Sequence, residues 1–138
     1  MKKILVVDDE PYQLIFMKKA IEALGFAVET AGNAADALAK IDAGGIHVVL
    51  SDLRMPDMTG PELIRKVREK APATGNVLVT AQQSNEVIVD ALKNGADDFI
   101  QKPVEFGMLE VVLGRLFRLL ELAEENERLK AELKRLKA

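Results

Sequence analysis

Along most of the chain, short apolar runs alternate with segments that have the residues typical of helix starts and ends. The runs are rich in Val, Ile and Leu, and they predict strands at residues 3–7, 26–30, 47–51, 76–80 and 98–101. Nearly continuous apolar character is typical of parallel strands that helices cover on both faces. The pattern therefore predicts an α/β fold with a doubly wound sheet of five parallel strands.

Helix start and stop signals lie between these runs. Pro11 and Pro61 stand where first helical turns are expected, and Ser84 can cap a helix N-terminus. Gly25 and Gly95 follow predicted helix ends. Repeated strand–helix units with short connections imply right-handed crossovers, which place helices on both faces of the sheet.

Polar side chains follow four of the predicted strands at their carboxyl ends. Asp8 and Asp9 follow the first strand, Asp52 ends the third, Thr80 ends the fourth and Lys102 follows the fifth. In open parallel sheets, ligands bind beyond the carboxyl ends of the strands. We therefore expect these five side chains to meet at one rim of the sheet.

Three carboxylates, one hydroxyl and one lysine form a coherent set for phosphoryl chemistry. Asp8, Asp9 and Asp52 would repel one another unless a cation bridged them, and oxygen-only ligands favour Mg²⁺ or Mn²⁺ over zinc. Lys102 and the Thr80 hydroxyl could bind phosphoryl oxygens. Asp52 stands alone at its strand end and is the best candidate nucleophile, because a carboxylate can carry an acyl-phosphate.

Each of these features alone also has an ordinary structural explanation. The acidic residues of DDEP favour a helix N-terminus, and an aspartate after a strand is commonly a cap or a turn residue. A threonine at a strand end and a Lys-Pro pair are unremarkable. Their joint occurrence at successive strand ends is what favours the functional interpretation.

Composition excludes several other classes of protein. The 138 residues correspond to one domain with an appendage, and the net charge of −3 predicts no direct nucleic-acid contact. The chain has no cysteine, so it has neither a disulfide framework nor a thiolate zinc site, which fits a cytoplasmic protein. No segment approaches the ~20 apolar residues of a membrane span, so we expect a soluble protein without a membrane partner.

The segments VVDDE, SDLRMPDMTG, VTAQ and GADDFIQKP occur in the order and spacing of a known family. Through them, residues 2 to about 117 resemble the receiver domains of two-component response regulators. The resemblance implies the flavodoxin-like receiver fold and a sensor histidine kinase or histidine phosphotransfer protein as partner. It implies autocatalytic phosphoryl acceptance and self-dephosphorylation, and no enzymatic turnover of a foreign substrate.

The resemblance also implies a role for each residue of the predicted metal site. Asp52 is similar to the aspartate that a histidine kinase phosphorylates. Asp8 and Asp9 are similar to the acidic pair that holds Mg²⁺, Asp9 directly and Asp8 through water. The backbone carbonyl of Arg54 would complete the share of the metal shell that the protein supplies.

Four further positions match residues that respond to the phosphoryl group. Thr80 and Lys102 resemble the hydroxyl residue and the lysine that contact the phosphoryl group. Ala81 resembles the small residue that lets the phosphodonor approach. Phe99 matches an aromatic position whose ring moves inward as Thr80 closes on the phosphate. The bond between Lys102 and Pro103 matches one that the family often holds cis.

Helical pattern continues beyond the point where a receiver of this type would end. A heptad seam at alternating spacings of three and four is formed by Leu119, Leu122, Asn126, Leu129, Leu133 and Leu136. Glu125 and Glu132 then occupy g positions, and Lys130 and Lys137 occupy the following e positions. The seam predicts Glu125–Lys130 and Glu132–Lys137 pairs across a parallel interface, and one Asn at an a position favours two strands.

We therefore predict a receiver domain at residues 1–117 and a coiled-coil helix at 118–138 that forms a homodimer. The alternative is a solvated helix that packs back on its own domain. In the family such an extension commonly joins the receiver to an effector. The chain is thus expected to be a fragment of a longer regulator, or a stand-alone adaptor that signals through its dimer.

Two other functions would suit a doubly wound sheet. A nucleotide- or flavin-binding protein would need a glycine- or hydroxyl-rich loop after the first strand, where this chain has DDEP. A Mg²⁺-dependent phosphatase with an aspartate nucleophile usually has a second aspartate two residues later, where this chain has Arg54. The leading hypothesis is a switch in which phosphorylation of Asp52 draws Thr80 and Phe99 inward and alters the coiled coil.

Overall fold

The computed structural model describes residues 2–82 and 84–137, and within them five strands alternate with five helices. The strands are Lys3–Val7 (β1), Ala27–Ala31 (β2), Val48–Asp52 (β3), Gly75–Thr80 (β4) and Asp98–Gln101 (β5). The helices are Pro11–Ala23 (α1), Ala34–Ala43 (α2), Gly60–Lys70 (α3), Asn85–Lys93 (α4) and Phe106–Lys137 (α5). The predicted alternation of strands and helices is confirmed.

All five strands pair in parallel in one sheet, in the order β2–β1–β3–β4–β5. The predicted doubly wound α/β fold is therefore confirmed. The direction of winding reverses between β1 and β3, which makes their carboxyl ends the switch point where such sheets bind ligands. In this register Val7 lies opposite Ser51, so Asp8 and Asp52 leave neighbouring strands side by side.

The sheet is buried on both faces, which accounts for the apolar runs in the sequence. Alternate residues of a strand point to opposite faces. Ile4 and Val6 pack with residues of α1 and α5, whereas Leu5 and Val7 pack with residues of α2 and α3. These four side chains of β1 are almost completely inaccessible to solvent, whereas Lys3 at the start of the strand is partly exposed.

Two strands begin one residue later than the sequence pattern predicts. Phe26 lies outside β2, and its backbone amide donates to the carbonyl of Ile21 in the last turn of α1 at 3.5 Å. Its ring stacks on Phe117, with 5.0 Å between ring centroids. His47 precedes β3, although its backbone already donates to Lys3 and accepts from Gly75, both at 2.9 Å. At β2 the amide of Phe26 thus still belongs to the turn after α1, and the difference at β3 is a matter of strand-end definition.

Arg68 on α3 holds together three segments at the amino edge of the sheet. Its guanidinium donates to the carbonyl oxygens of Pro72 (2.8 Å), Thr74 (3.2 Å) and Gly95 (2.6 Å). It also forms an ion pair with Asp97 at 2.8 Å. Gly95 has a φ of 107°, a left-handed conformation that glycine adopts without strain and that presents its carbonyl to Arg68.

The last helix, α5, belongs to the core in its first part and leaves the core in its second. Leu109, Leu113 and Phe117 are buried against the sheet, and Leu120 is partly buried. Every described residue of 121–137 is exposed. The division at 117/118 stays a prediction, and its outer limits, Met1 and Ala138, lie outside the described residues. Within those described, no helix is both long and apolar enough to cross a bilayer.

We expect Arg68→Ala to lower the free energy of unfolding by about 2 kcal/mol, because four acceptors lose a charged donor. Urea unfolding followed by circular dichroism measures the loss. Arg65→Ala is the matched control, since Arg65 lies on the same helix and is exposed; we expect a change within about 0.5 kcal/mol. Equal effects of the two substitutions would contradict the role assigned to Arg68.

Candidate functional site

Three carboxylates meet where the carboxyl ends of β1 and β3 adjoin. Asp8, Asp9 and Asp52 each offer one oxygen, and these oxygens all lie within 4.8 Å of one another. Asp8 is 4% exposed, Asp52 is partly buried and Asp9 is exposed. The acidic rim predicted from the strand ends is therefore present in the fold.

Lys102 reaches this cluster from the end of β5. Its Nζ atom lies 3.2 Å from Asp8 Oδ2 and 3.1 Å from Asp52 Oδ1. Its backbone amide donates to the carbonyl of Thr80 at 2.9 Å, which continues the β4–β5 pairing beyond the strand end. The long side chain thus spans the distance from β5 past β4 to the carboxylates of β1 and β3.

Backbone amides set the orientation of two of the carboxylates. Asp52 Oδ1 accepts from the amide of Leu53 at 2.9 Å, and Asp8 Oδ1 accepts from the amide of Glu10 at 3.0 Å. Short-range bonds of this kind are typical of aspartate in turns. Because Asp52 Oδ1 accepts hydrogen bonds from both the Leu53 amide and Lys102 Nζ, the two oxygens of Asp52 have different environments.

Burial raises the pKa of Asp52 above its ordinary value, and the charge of Asp8 raises it further. The hydrogen bond from Lys102 acts in the opposite direction and compensates only in part. Burial alone would lower the pKa of Lys102, but its hydrogen bonds and charge interactions with Asp52 and Asp8 raise it. One lysine therefore does not neutralise the cluster.

The donor set fits a hard divalent cation. Carboxylate oxygens within 4.8 Å of one another, with excess negative charge, are the ligands that Mg²⁺ takes in proteins. Asp8, Asp9, Asp52 and the carbonyl of Arg54 are the groups that would hold the ion. Arg54 lies in the loop directly after β3, within reach of the same edge of the sheet.

Thr80 and Ala81 lie where the fourth strand reaches the rim. Thr80 is 2% exposed, and its hydroxyl oxygen accepts from the amide of Gln82 at 3.0 Å. Its hydroxyl hydrogen remains available as a donor. Ala81 is exposed beside it, at the mouth of the site.

Phe99 is 39% exposed on β5. Its ring lines an open groove between β5 and α5 together with Lys102, Met108 and Arg115. This is not the inward position that the family resemblance implies for a phosphorylated receiver. The peptide bond between Lys102 and Pro103 is cis, as the resemblance led us to expect.

Two residues of the SDLRMPDMTG segment have roles that sequence reasoning did not identify individually. A Cβ atom at Gly60 would lie 2.4 Å from the Asp52 carbonyl oxygen and 2.8 Å from a methyl of Leu78, so this position requires glycine. Asp57 accepts from the amides of Ala34 and Ala35 at the start of α2. Both residues lie in a segment that the sequence singled out for its resemblance to the receiver family, but the sequence did not predict these contacts.

The family model of the response regulator receiver domain matches residues 4–113. The chain belongs to this family. Receiver domains accept phosphoryl groups from histidine kinases, so the general class of function predicted from the sequence is confirmed. The acidic pocket described above lies where this function places it, at the carboxyl edge of the sheet.

Two transcriptional regulatory proteins are similar to this receiver. TrcR of Mycobacterium tuberculosis is 37% identical over 126 residues, which are 91% of this chain and 48% of TrcR. ZraR of Klebsiella oxytoca is 32% identical over 121 residues, which are 88% of this chain and 27% of ZraR. The chain thus spans about half or less of these relatives.

Solved structures show the same fold. A CheY-like receiver domain protein from Methanospirillum hungatei superposes with a TM-score of 0.80 and 36% identity, covering 91% of this chain and 98% of that one. NtrX from Brucella abortus, solved in complex with ADP, gives a TM-score of 0.87 and 29% identity. That match covers 94% of this receiver and 30% of NtrX.

We expect Asp52→Asn to raise the free energy of unfolding at pH 7 in metal-free buffer. Asp52 has a raised pKa in the folded state, so it binds a proton more tightly there than in the unfolded chain. Its ionisation therefore lowers stability as pH rises from about 3.9, the unfolded value, through the raised folded value. Lys102 keeps Asp8 as its partner in the variant.

Urea unfolding at several pH values, with a chelator present, measures this difference. The gain of the variant over the unmodified receiver should grow with pH across that window and then level off. Glu110→Gln, an exposed acidic position on α5, is the control and should show no such trend. A variant that is no more stable at any pH would contradict the excess of negative charge.

Proposed function

We propose that this receiver accepts a phosphoryl group on Asp52 from a sensor histidine kinase or a histidine phosphotransfer protein, with Mg²⁺ bound. It then changes the geometry of a dimer that controls an effector. The observation that carries this proposal is the cluster of Asp8, Asp9 and Asp52, in which Lys102 bridges two carboxylates without neutralising the third.

The two oxygens of Asp52 have different roles in the proposed reaction. Oδ1 is held by the Leu53 amide and by Lys102, so we assign Oδ2 to the attack on phosphorus. The new O–P bond forms as the P–N bond of the phosphohistidine breaks. The departing nitrogen keeps the electron pair of the P–N bond, and a proton on the other ring nitrogen lets the histidine leave as a neutral imidazole. Mg²⁺, when bound, supplies positive charge that stabilises the phosphoryl oxygens.

Lys102 and Thr80 would then respond to the new charge. Lys102 already lies at Asp52, so a short displacement lets it donate to a phosphoryl oxygen. The free hydroxyl hydrogen of Thr80 would donate to another. An inward movement of Thr80 leaves space for the exposed ring of Phe99 to follow, which alters the β5–α5 face.

A phosphatase acting on foreign substrates is the weaker alternative. Such a mechanism needs a second carboxylate to protonate the leaving group, two residues after the nucleophile. Arg54 occupies that position and is exposed. We therefore propose phosphoryl acceptance and self-dephosphorylation and no turnover of phosphate esters.

The phosphorylation proposal predicts a covalent adduct at one residue. After incubation with acetyl phosphate and Mg²⁺, intact-mass spectrometry should detect one phosphoryl group, absent with a chelator or in Asp52→Asn. Lys102→Ala should slow the reaction by about 10²-fold, because it removes a charge aimed at the transferring group. Lys93→Ala, an exposed lysine on α4, should leave the rate unchanged.

Three outcomes separate the candidate functions. An adduct that persists in Asp52→Asn would move the phosphoacceptor elsewhere, and the absence of any adduct would contradict the phosphorylation proposal for this chain. Steady turnover of p-nitrophenyl phosphate would favour the phosphatase. Transfer from a phosphorylated histidine phosphotransfer protein would support the proposed partner.

The exposed part of α5 supports a dimeric output. The side chains of its seam are uncovered in the single chain, with exposed fractions of 58% for Leu122, 53% for Leu129, 54% for Leu133 and 72% for Leu136. A helix of this length without tertiary contacts is marginal in water. We propose that a second copy covers the seam in parallel, with Asn126 paired at the interface.

Charged residues beside the seam have partners within the single helix. Glu125 pairs with Arg128, Glu132 with Arg135 and Lys130 with Glu127. Exposed pairs of this kind contribute about 0–1 kcal/mol each, so they compete only weakly with pairing between chains. The Glu125–Lys130 and Glu132–Lys137 pairs across the interface stay predictions.

Sedimentation tests the dimer. The full chain should sediment as a dimer, and a chain ending at Glu121 as a monomer; this end keeps the ion pair of Glu121 with Lys2. Leu129→Ser combined with Leu133→Ser should give a monomer with reduced helix content. Ala131→Ser, on the opposite side of the helix, is the control. Monomeric mass for the full chain across the micromolar range would remove the coiled-coil proposal.

A further inference from the structure

The loop between β3 and α3 presents the Arg54 carbonyl through a specific pairing pattern. Two backbone hydrogen bonds close the loop, from Gly60 N–H to Leu53 O (2.6 Å) and from Met55 N–H to Met58 O (3.2 Å). They flank an antiparallel bridge between Arg54 and Thr59. In such a bridge the facing residues exchange no hydrogen bonds with each other. The pairing therefore leaves the carbonyl of Arg54 available to a ligand.

Asp57 anchors the tip of this loop on a different element. Its Oδ1 accepts from the amide of Ala34 at 3.0 Å, and its Oδ2 accepts from the amide of Ala35 at 2.9 Å. These amides belong to the first turn of α2, where backbone donors have no partner within the helix. The two hydrogen bonds lower the pKa of Asp57 below its ordinary value.

The start of α2 has a second cap, which comes from the residue just before the helix. The side chain of Asn33 accepts from the amide of Asp36 at 2.8 Å, within the same segment of chain. Asn33 and Asp57 thus stabilise the same helix terminus, but Asp57 also joins it to the loop after β3. Comparison of the two residues separates helix capping from loop anchoring.

We propose that Asp57 is a positioning residue for the metal site. By holding the loop tip on α2, it fixes the Arg54 carbonyl in place beside Asp8, Asp9 and Asp52. The inference rests on the proposed Mg²⁺-dependent function. Met55 is buried in the core, so loss of the anchor would release the loop tip without unfolding the loop.

The geometry of Mg²⁺ makes this anchor important. The ion requires nearly ideal octahedral coordination, so a small displacement of one oxygen weakens binding. Residues that orient a ligand without touching the ion typically contribute 10–100-fold to affinity. Coupling is also reciprocal, so Mg²⁺ should in turn protect the amides of Ala34 and Ala35 from hydrogen exchange.

Asp57→Ala, Asp57→Asn and Asn33→Ala test the inference in the full-length chain. Isothermal titration with Mg²⁺ should show binding weakened about tenfold in Asp57→Ala and by less in Asp57→Asn, which keeps one acceptor oxygen. Asn33→Ala should lower the stability of α2 and leave the Mg²⁺ affinity unchanged. Hydrogen exchange at the Met55 amide should quicken in Asp57→Ala and not in Asn33→Ala.

Each contrary result has a distinct meaning. If the unmodified receiver bound no Mg²⁺, both this inference and the proposed function would be overturned. If it bound Mg²⁺ and Asp57→Ala bound equally well, only this inference would fall. Equal weakening by Asn33→Ala would assign the effect to helix stability. If Asp57→Ala and Asp57→Asn weakened Mg²⁺ binding equally, and the effect vanished at high salt, the cause would be the charge of Asp57. Either of these last two results would contradict a positioning role for Asp57.

Discussion

Repulsion among three carboxylates at the junction of β1 and β3 is the constraint on which the rest of this receiver depends. The sheet order and register bring Asp8 and Asp52 side by side, and burial raises the pKa of Asp52. Lys102 bridges the two but leaves net negative charge. This electrostatic repulsion is what the proposed Mg²⁺ would relieve, and the proposed phosphoryl group would change the same balance of charge.

The surrounding fold keeps the charged groups in place while they repel one another. Gly60 lets the start of α3 approach the backbone of Asp52 more closely than any side chain would permit. Arg68 joins three segments at the opposite edge of the sheet. The acidic rim is therefore held by a buried scaffold, and the proposed switch needs only side chains such as Lys102, Thr80 and Phe99 to move.

The link from this rim to the output is short. Lys102 precedes α5 by only a few residues, and α5 runs without interruption from Phe106 to the exposed seam. Its first part packs on the sheet and its last part has no cover within the single chain. A small change at β5 can thus be carried along one continuous helix to the leucines that the proposed dimer buries.

The sequence by itself determined the alternation of strands and helices, the chemical groups at the strand ends and the heptad spacing, because each is a local or periodic pattern. It led to the family and to the acidic rim through residues such as Asp52 and Lys102. Only the tertiary structure decided which oxygen of Asp52 is engaged, why position 60 must be glycine and that Asp57 caps a helix earlier in the chain. It also placed the ring of Phe26 on that of Phe117. Contacts such as those of Lys102 with Asp52 and of Asp57 with Ala34 join residues far apart in the chain. No periodicity encodes them, since they depend on how finished elements pack.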